Sequence, residues 1–101
     1  MKTLNKNDIK HKLVMQTELL NFYHVSRIGI FGSFLNNTQN EKSDIDLLID
    51  FKEPIDLFAY VNLADKLSQT MEKKVDLVTV NGLKSSLRNK IMNEVEWIEV
   101  C

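Results

Sequence analysis

The run Ile45–Phe51 reads Ile-Asp-Leu-Leu-Ile-Asp-Phe and is the most strongly apolar stretch of the chain. At this length it suits a strand in the interior of a sheet better than a helix. A carboxylate set inside such a run has to find a partner, which makes Asp46 conspicuous before anything else is known. The rest of the chain is organised around this strand. Arg27–Phe31 is a second short apolar run, closed by Gly32–Ser33 and separated from the first by the polar stretch Asn36–Lys42. Lys74–Val80 alternates, is rich in Val and Thr, and ends at Asn81–Gly82, which predicts a third strand.

Helical spacing fills the intervals. From about Asn7 to Tyr23, Ile9, Leu13, Leu20 and Tyr23, widened by Met15 and Leu19, predict one amphipathic helix. Pro54 opens a second, ending near Lys73, in which Leu57, Val61, Ala64, Leu67 and Met71 share a face. Leu83, Leu87 and Ile91 mark a third, and Glu96–Val100 a final short strand. The order αββαβα(β) implies an α/β (α+β) fold with a short mixed sheet packed against helices. With 101 residues, the expectation is a single domain over 1–101 with its motif core at 27–80.

Thirteen Lys and Arg against 14 Asp and Glu leave a formal charge of -1, so there is no basic surplus to attract a polynucleotide. The lone cysteine, Cys101, excludes an intramolecular disulfide and argues against a Cys-based zinc site. No apolar run approaches the length of a membrane span and Met1–Lys10 lacks a signal-peptide core, so the expected location is the cytoplasm, without a membrane partner.

Gly32–Ser33 followed ten residues later by Asp44-Ile45-Asp46 gives the pattern G-S-x10-D-x-D. Alternation along a strand turns Asp44 and Asp46 to the same face, with Cα atoms roughly 6–7 Å apart. Paired carboxylates hold hard divalent cations, and Mg²⁺ typically takes one or two carboxylates together with substrate phosphates. A nucleoside triphosphate with two Mg²⁺ ions follows as the expected ligand set. Asp76, the lone acid in Val-Asp-Leu-Val, is the candidate third carboxylate, as metal ligand and general base. Gly32 permits close backbone approach, and Ser33 offers an amide and a hydroxyl to phosphate oxygens.

IGIFGSF, SDIDLLIDF, the helix ending LADKLSQTMEKK, the strand KVDLVTV and the closing LRNKIMNEVEWIEV together resemble a minimal nucleotidyltransferase (MNT) domain of the polymerase-beta-like superfamily, over about Arg27 to Val100. That resemblance implies the nucleotidyltransferase fold, triphosphate at Ser33, and metal at Asp44, Asp46 and Asp76. It also implies an antitoxin that silences a HEPN-domain ribonuclease toxin by transferring AMP from ATP to a toxin tyrosine; the residues leave open a homodimer or a hetero-oligomer. In one respect the chain departs from the pattern. Relatives commonly carry Gly-Ser-x-Ala-Arg-Gly, whereas Phe34, Leu35, Asn36 and Asn37 stand here, leaving Lys42 or Lys52 as substitute point charges. This departure favours a second reading, a non-catalytic module that neutralises its partner by binding. A third is nucleotide transfer to a small molecule of aminoglycoside type.

Other polar residues receive structural readings. Asp50 lies roughly 13 Å along the strand from Asp46 and is read as a strand-end surface acid. His11 and His24 have no neighbours at metal-ligand spacing and are read as solvated or capping residues. Trp97 is read as an anchor of the last strand or a contributor to a partner interface.

Overall fold

The computed structural model describes residues 4–32 and 42–99. In chain order the elements are α1 (Lys6–Val14), α2 (Thr17–Phe22), β1 (Val25–Phe31), β2 (Ile45–Phe51), α3 (Leu57–Met71), β3 (Val75–Thr79), a 3-10 turn (Val80–Gly82), α4 (Ser85–Glu94) and β4 (Glu96–Glu99). The strands form one sheet in the order β3-β2-β1-β4. β1 runs antiparallel to β2 and β4, while β2 and β3 run parallel and are joined by α3. A parallel pair requires such a crossover, because a tight turn can only reverse the chain.

The predicted helix over Asn7–Tyr23 is two helices. An Asn5–Asp8 capping box starts α1: the Asn5 side chain accepts from the Asp8 amide at 2.9 Å and the Asp8 carboxylate from the Asn5 amide at 3.1 Å. The break falls at Met15–Gln16, where the Thr17 hydroxyl donates to the Val14 carbonyl at 2.7 Å and occupies that acceptor locally. Ile9 and Leu13 on α1 and Leu20 on α2 still reach the same core.

On the sheet, Ile28, Ile30, Ile45, Leu47, Ile49, Val75 and Leu77 face those helices and α3. The predicted stripe on α3 is rotated from the observed one. Leu63, Leu67 and Met71 are buried, with Tyr60 and Ala64 packed at their margin, whereas Leu57 is 72% exposed and Val61 48%. Both sets obey helical spacing, and the packing against β3 selects between them. On α4, Leu87 is likewise 47% exposed. By alternation Asp46, Leu48 and Asp50 of β2 and Asp76 of β3 belong to the opposite sheet face.

α3 ends at Glu72, whose backbone is left-handed with φ 56. Glycine takes this conformation freely, and other residues do so at a cost. Glu72→Gly is therefore expected to stabilise the protein by about 0.5–1 kcal/mol, the left-handed penalty less the entropy of a glycine. Thermal melts should shift upward by about 2–8 °C.

Candidate functional site

β2 and β3 are registered so that Asp46 sits directly beside Asp76. Their Cα atoms belong to adjacent strands, roughly 4.8 Å apart, and their side chains leave the sheet on the same face. Asp44 lies one residue before β2, is exposed, and has the Lys74 ammonium 4.0 Å from its Oδ2. Among the described residues no three His, Cys, Asp or Glu side chains are already drawn together closely enough to cage an ion. The arrangement is a pair of adjacent carboxylates with a third at the mouth.

The electrostatics of the pair are distinctive. Burial pushes the Asp46 carboxyl above the ordinary carboxylate value, and the charges of Asp76 and Asp44 push it further in the same direction. Among the described residues, neither Asp46 nor Asp76 has a cationic partner. Like charges collected without a counter-charge are relieved by a hard divalent cation, and Mg²⁺ needs only one or two protein carboxylates when phosphate oxygens complete its shell. The donor set therefore fits Mg²⁺.

Gly32 closes β1 against this site. Its φ is +75, and a Cβ there would lie 3.1 Å from the Asp46 Cγ and nearer still to its Oδ2. A glycine takes this turn without strain and leaves the space beside it to the Asp46 carboxylate. Ser33, the predicted partner of the triphosphate, lies outside the described residues, as do Phe34–Asn37.

The remaining polar residues sort clearly. Lys52 follows β2 at the end remote from Asp46, roughly 20 Å along the strand, and cannot stand in for an arginine beside Gly32. Lys74 was not anticipated. It shares the parity of Asp76, two residues before it, and that spacing was the available signal. Asp50 pairs with Arg27 at 3.4 Å, as fits a strand-end surface acid, and the Arg27 guanidinium stacks 3.9 Å from the ring centroid of Trp97. Trp97 thereby anchors β4 to β1. His24 contacts Glu53 at 3.0 Å and touches none of the predicted site acids. A cavity of about 560 Å³ opens at the other end of β2 and β3, walled by Phe51, Lys52, Asp56, Tyr60 and Asn81, and none of the three acids lines it.

The pattern of the family described as polymerase beta, nucleotidyltransferase matches residues 5–99. The chain belongs to that family. A Methanocaldococcus jannaschii protein named "Putative protein adenylyltransferase MJ0126" is 44% identical over 97 residues, spanning 93% of this chain and 95% of the relative. A protein adenylyltransferase, MntA, of Thermococcus cleftensis is 35% identical over 81 residues, spanning 80% of this chain and 82% of its own length. Among solved structures, a toxin-antitoxin with AMP-PNP superposes with a TM-score of 0.71 at 27% identity, covering 87% of this chain and 70% of that one. The four-stranded mixed sheet with its helices is thus the nucleotidyltransferase fold anticipated from the sequence. None of the helices among the described residues is long and apolar enough to cross a membrane.

Proposed function

We propose that this protein is the antitoxin of a toxin-antitoxin pair and transfers AMP from ATP to a tyrosine of a HEPN-domain toxin, with Mg²⁺ as cofactor and the cytoplasm as its location. The observation that carries the reading is the side-by-side register of Asp46 and Asp76 next to a left-handed Gly32. Relatives named as protein adenylyltransferases, and a structural neighbour that is a toxin-antitoxin with AMP-PNP, support the acceptor and nucleotide classes.

Asp46 and Asp76 would hold the metal, with Asp44 joining at the mouth. When bound, Mg²⁺ supplies charge neutralisation for the triphosphate. The chain's own groups account for the rest. The Gly32 backbone and Ser33 cradle the phosphates, Lys74 contributes a cation at the entrance, and Asp76 accepts the proton of the acceptor hydroxyl. The tyrosine oxygen then bonds to the α-phosphorus, the bond from that phosphorus to the bridging oxygen breaks, and pyrophosphate leaves. Positioning and electrostatics lower the barrier of such a transfer more than covalent help does.

Phe34–Asn37 in place of the arginine pattern favours one competing reading, neutralisation by binding alone. Co-expression of the toxin with the Asp44→Asn/Asp46→Asn variant separates the two. Transfer predicts that protection of the host is lost while the variant remains folded. Protection that survives unchanged would establish neutralisation by binding.

A further inference from the structure

Among the described residues β3 is an edge strand, with no neighbouring strand along its outer edge to satisfy the backbone. The Ile45 amide donates to the Lys74 carbonyl at 2.9 Å, so Lys74, and by alternation Asp76, direct their backbone groups toward β2. The backbone groups of Val75 and Leu77, one on either side of Asp76, therefore point outward. One group of each residue is met by a side chain of α3. The Val75 amide donates to the Ser68 Oγ at 3.0 Å, and the Ser68 hydroxyl in turn donates to the Ala64 carbonyl at 2.9 Å. The Tyr60 hydroxyl donates to the Leu77 carbonyl, and its ring packs on Phe51 of β2 with centroids 6.3 Å apart.

We propose that Tyr60 and Ser68 are positioning residues that clamp β3 on both sides of Asp76 and hold its carboxylate in register with Asp46 for the metal. The inference rests on the metal-dependent reading of the Asp46–Asp76 pair. A bare strand edge can slide or fray, and a strand-to-strand shift of a fraction of an ångström is felt at a metal site. Two side-chain hydrogen bonds from one packed helix tie the outer edge of β3 at the Val75 amide and the Leu77 carbonyl, the two groups that bracket the Val75–Leu77 segment carrying Asp76. Burial and the charge of Asp76 raise the Tyr60 phenol above its ordinary value, so it stays a donor throughout the working pH range.

The test is the affinity of the protein for Mn²⁺ in the presence of AMP-PNP, followed by the electron paramagnetic resonance of free Mn²⁺. Tyr60→Phe keeps the ring against Phe51 and removes only the donor, Ser68→Ala removes the other contact, and Ser68→Thr restores it. Each deletion is expected to weaken Mn²⁺ binding by about tenfold, as loss of an outer-shell support does, with recovery in Ser68→Thr. Asp76→Asn serves as the reference for loss of the ligand itself. Wild-type affinity in both Tyr60→Phe and Ser68→Ala, with Asp76→Asn impaired, would overturn the clamp and leave the metal reading standing. No difference between wild type and Asp76→Asn would overturn both.

Discussion

Asp46→Asn is expected to lower AMP transfer by about 10²–10³-fold, the scale seen when one preorganised electrostatic group is removed, while raising the melting temperature of the metal-free protein at pH 7. The two effects share a cause. Asp46 is half-buried among like charges, and burial, Asp76 and Asp44 all hold its carboxyl above the ordinary value of 3.8. Between 3.8 and that raised value the folded state binds more protons than the unfolded state. This residue's contribution to stability therefore grows as pH falls through the folded value and levels off near 3.8. At pH 7 the ionised form is a liability that Asn removes. The stability difference between variant and wild type should accordingly shrink as the pH is lowered through that window. Mg²⁺ with nucleotide should raise the wild-type melting temperature and leave Asp46→Asn nearly unmoved, because only a species that binds the native state shifts the equilibrium. A variant less stable than wild type at pH 7 without metal would contradict this account.

Gly32→Ala is expected to lose both stability and transfer. The left-handed backbone costs a residue with a Cβ about 1–2 kcal/mol, and a domain of this size loses about 4–8 °C in melting temperature for each kcal/mol. The added methyl also enters the space of the Asp46 carboxylate, whose Cγ would lie only 3.1 Å away. Either the end of β1 or the Asp46 side chain must then move, and both belong to the proposed site. Urea unfolding and a nucleotide-dependent thermal shift on the same preparation separate the two losses. Retention of the full Mg²⁺–nucleotide shift in Gly32→Ala would show that the contact with Asp46 has no functional consequence. Opposite signs of the stability change in Asp46→Asn and Gly32→Ala are the joint signature of a charged site built against a tight turn.

Much of this was legible in the residues, and unevenly so. The apolar run bounded β2 at Ile45–Phe51, as observed, because a strand buried between neighbours leaves little room for polar residues. Asp46 stood out for the same reason, and Gly32 through its place at the end of an apolar strand. The break between α1 and α2 was hidden because the Thr17 hydroxyl ends the helix locally without disturbing the apolar spacing. The orientation of α3 was hidden because Leu57–Val61 and Leu63–Leu67 satisfy the same period, and only the sheet against which the helix packs distinguishes them. Tyr60 and Ser68 carry no motif at all. Their role depends on β3 lying at the edge, a property of strand order that no local pattern encodes. Lys74 belongs to the same class, since its approach to Asp44 follows from the parallel pairing of β2 and β3.

The role proposed for these acids is nucleotide transfer to a protein partner. Its most direct test is the intact mass of the HEPN toxin after incubation with this protein, ATP and Mg²⁺, beside the Asp44→Asn/Asp46→Asn variant. Added AMP units on the toxin are expected with the native chain and none with the variant. An unmodified toxin in a stable complex with the native chain would contradict it.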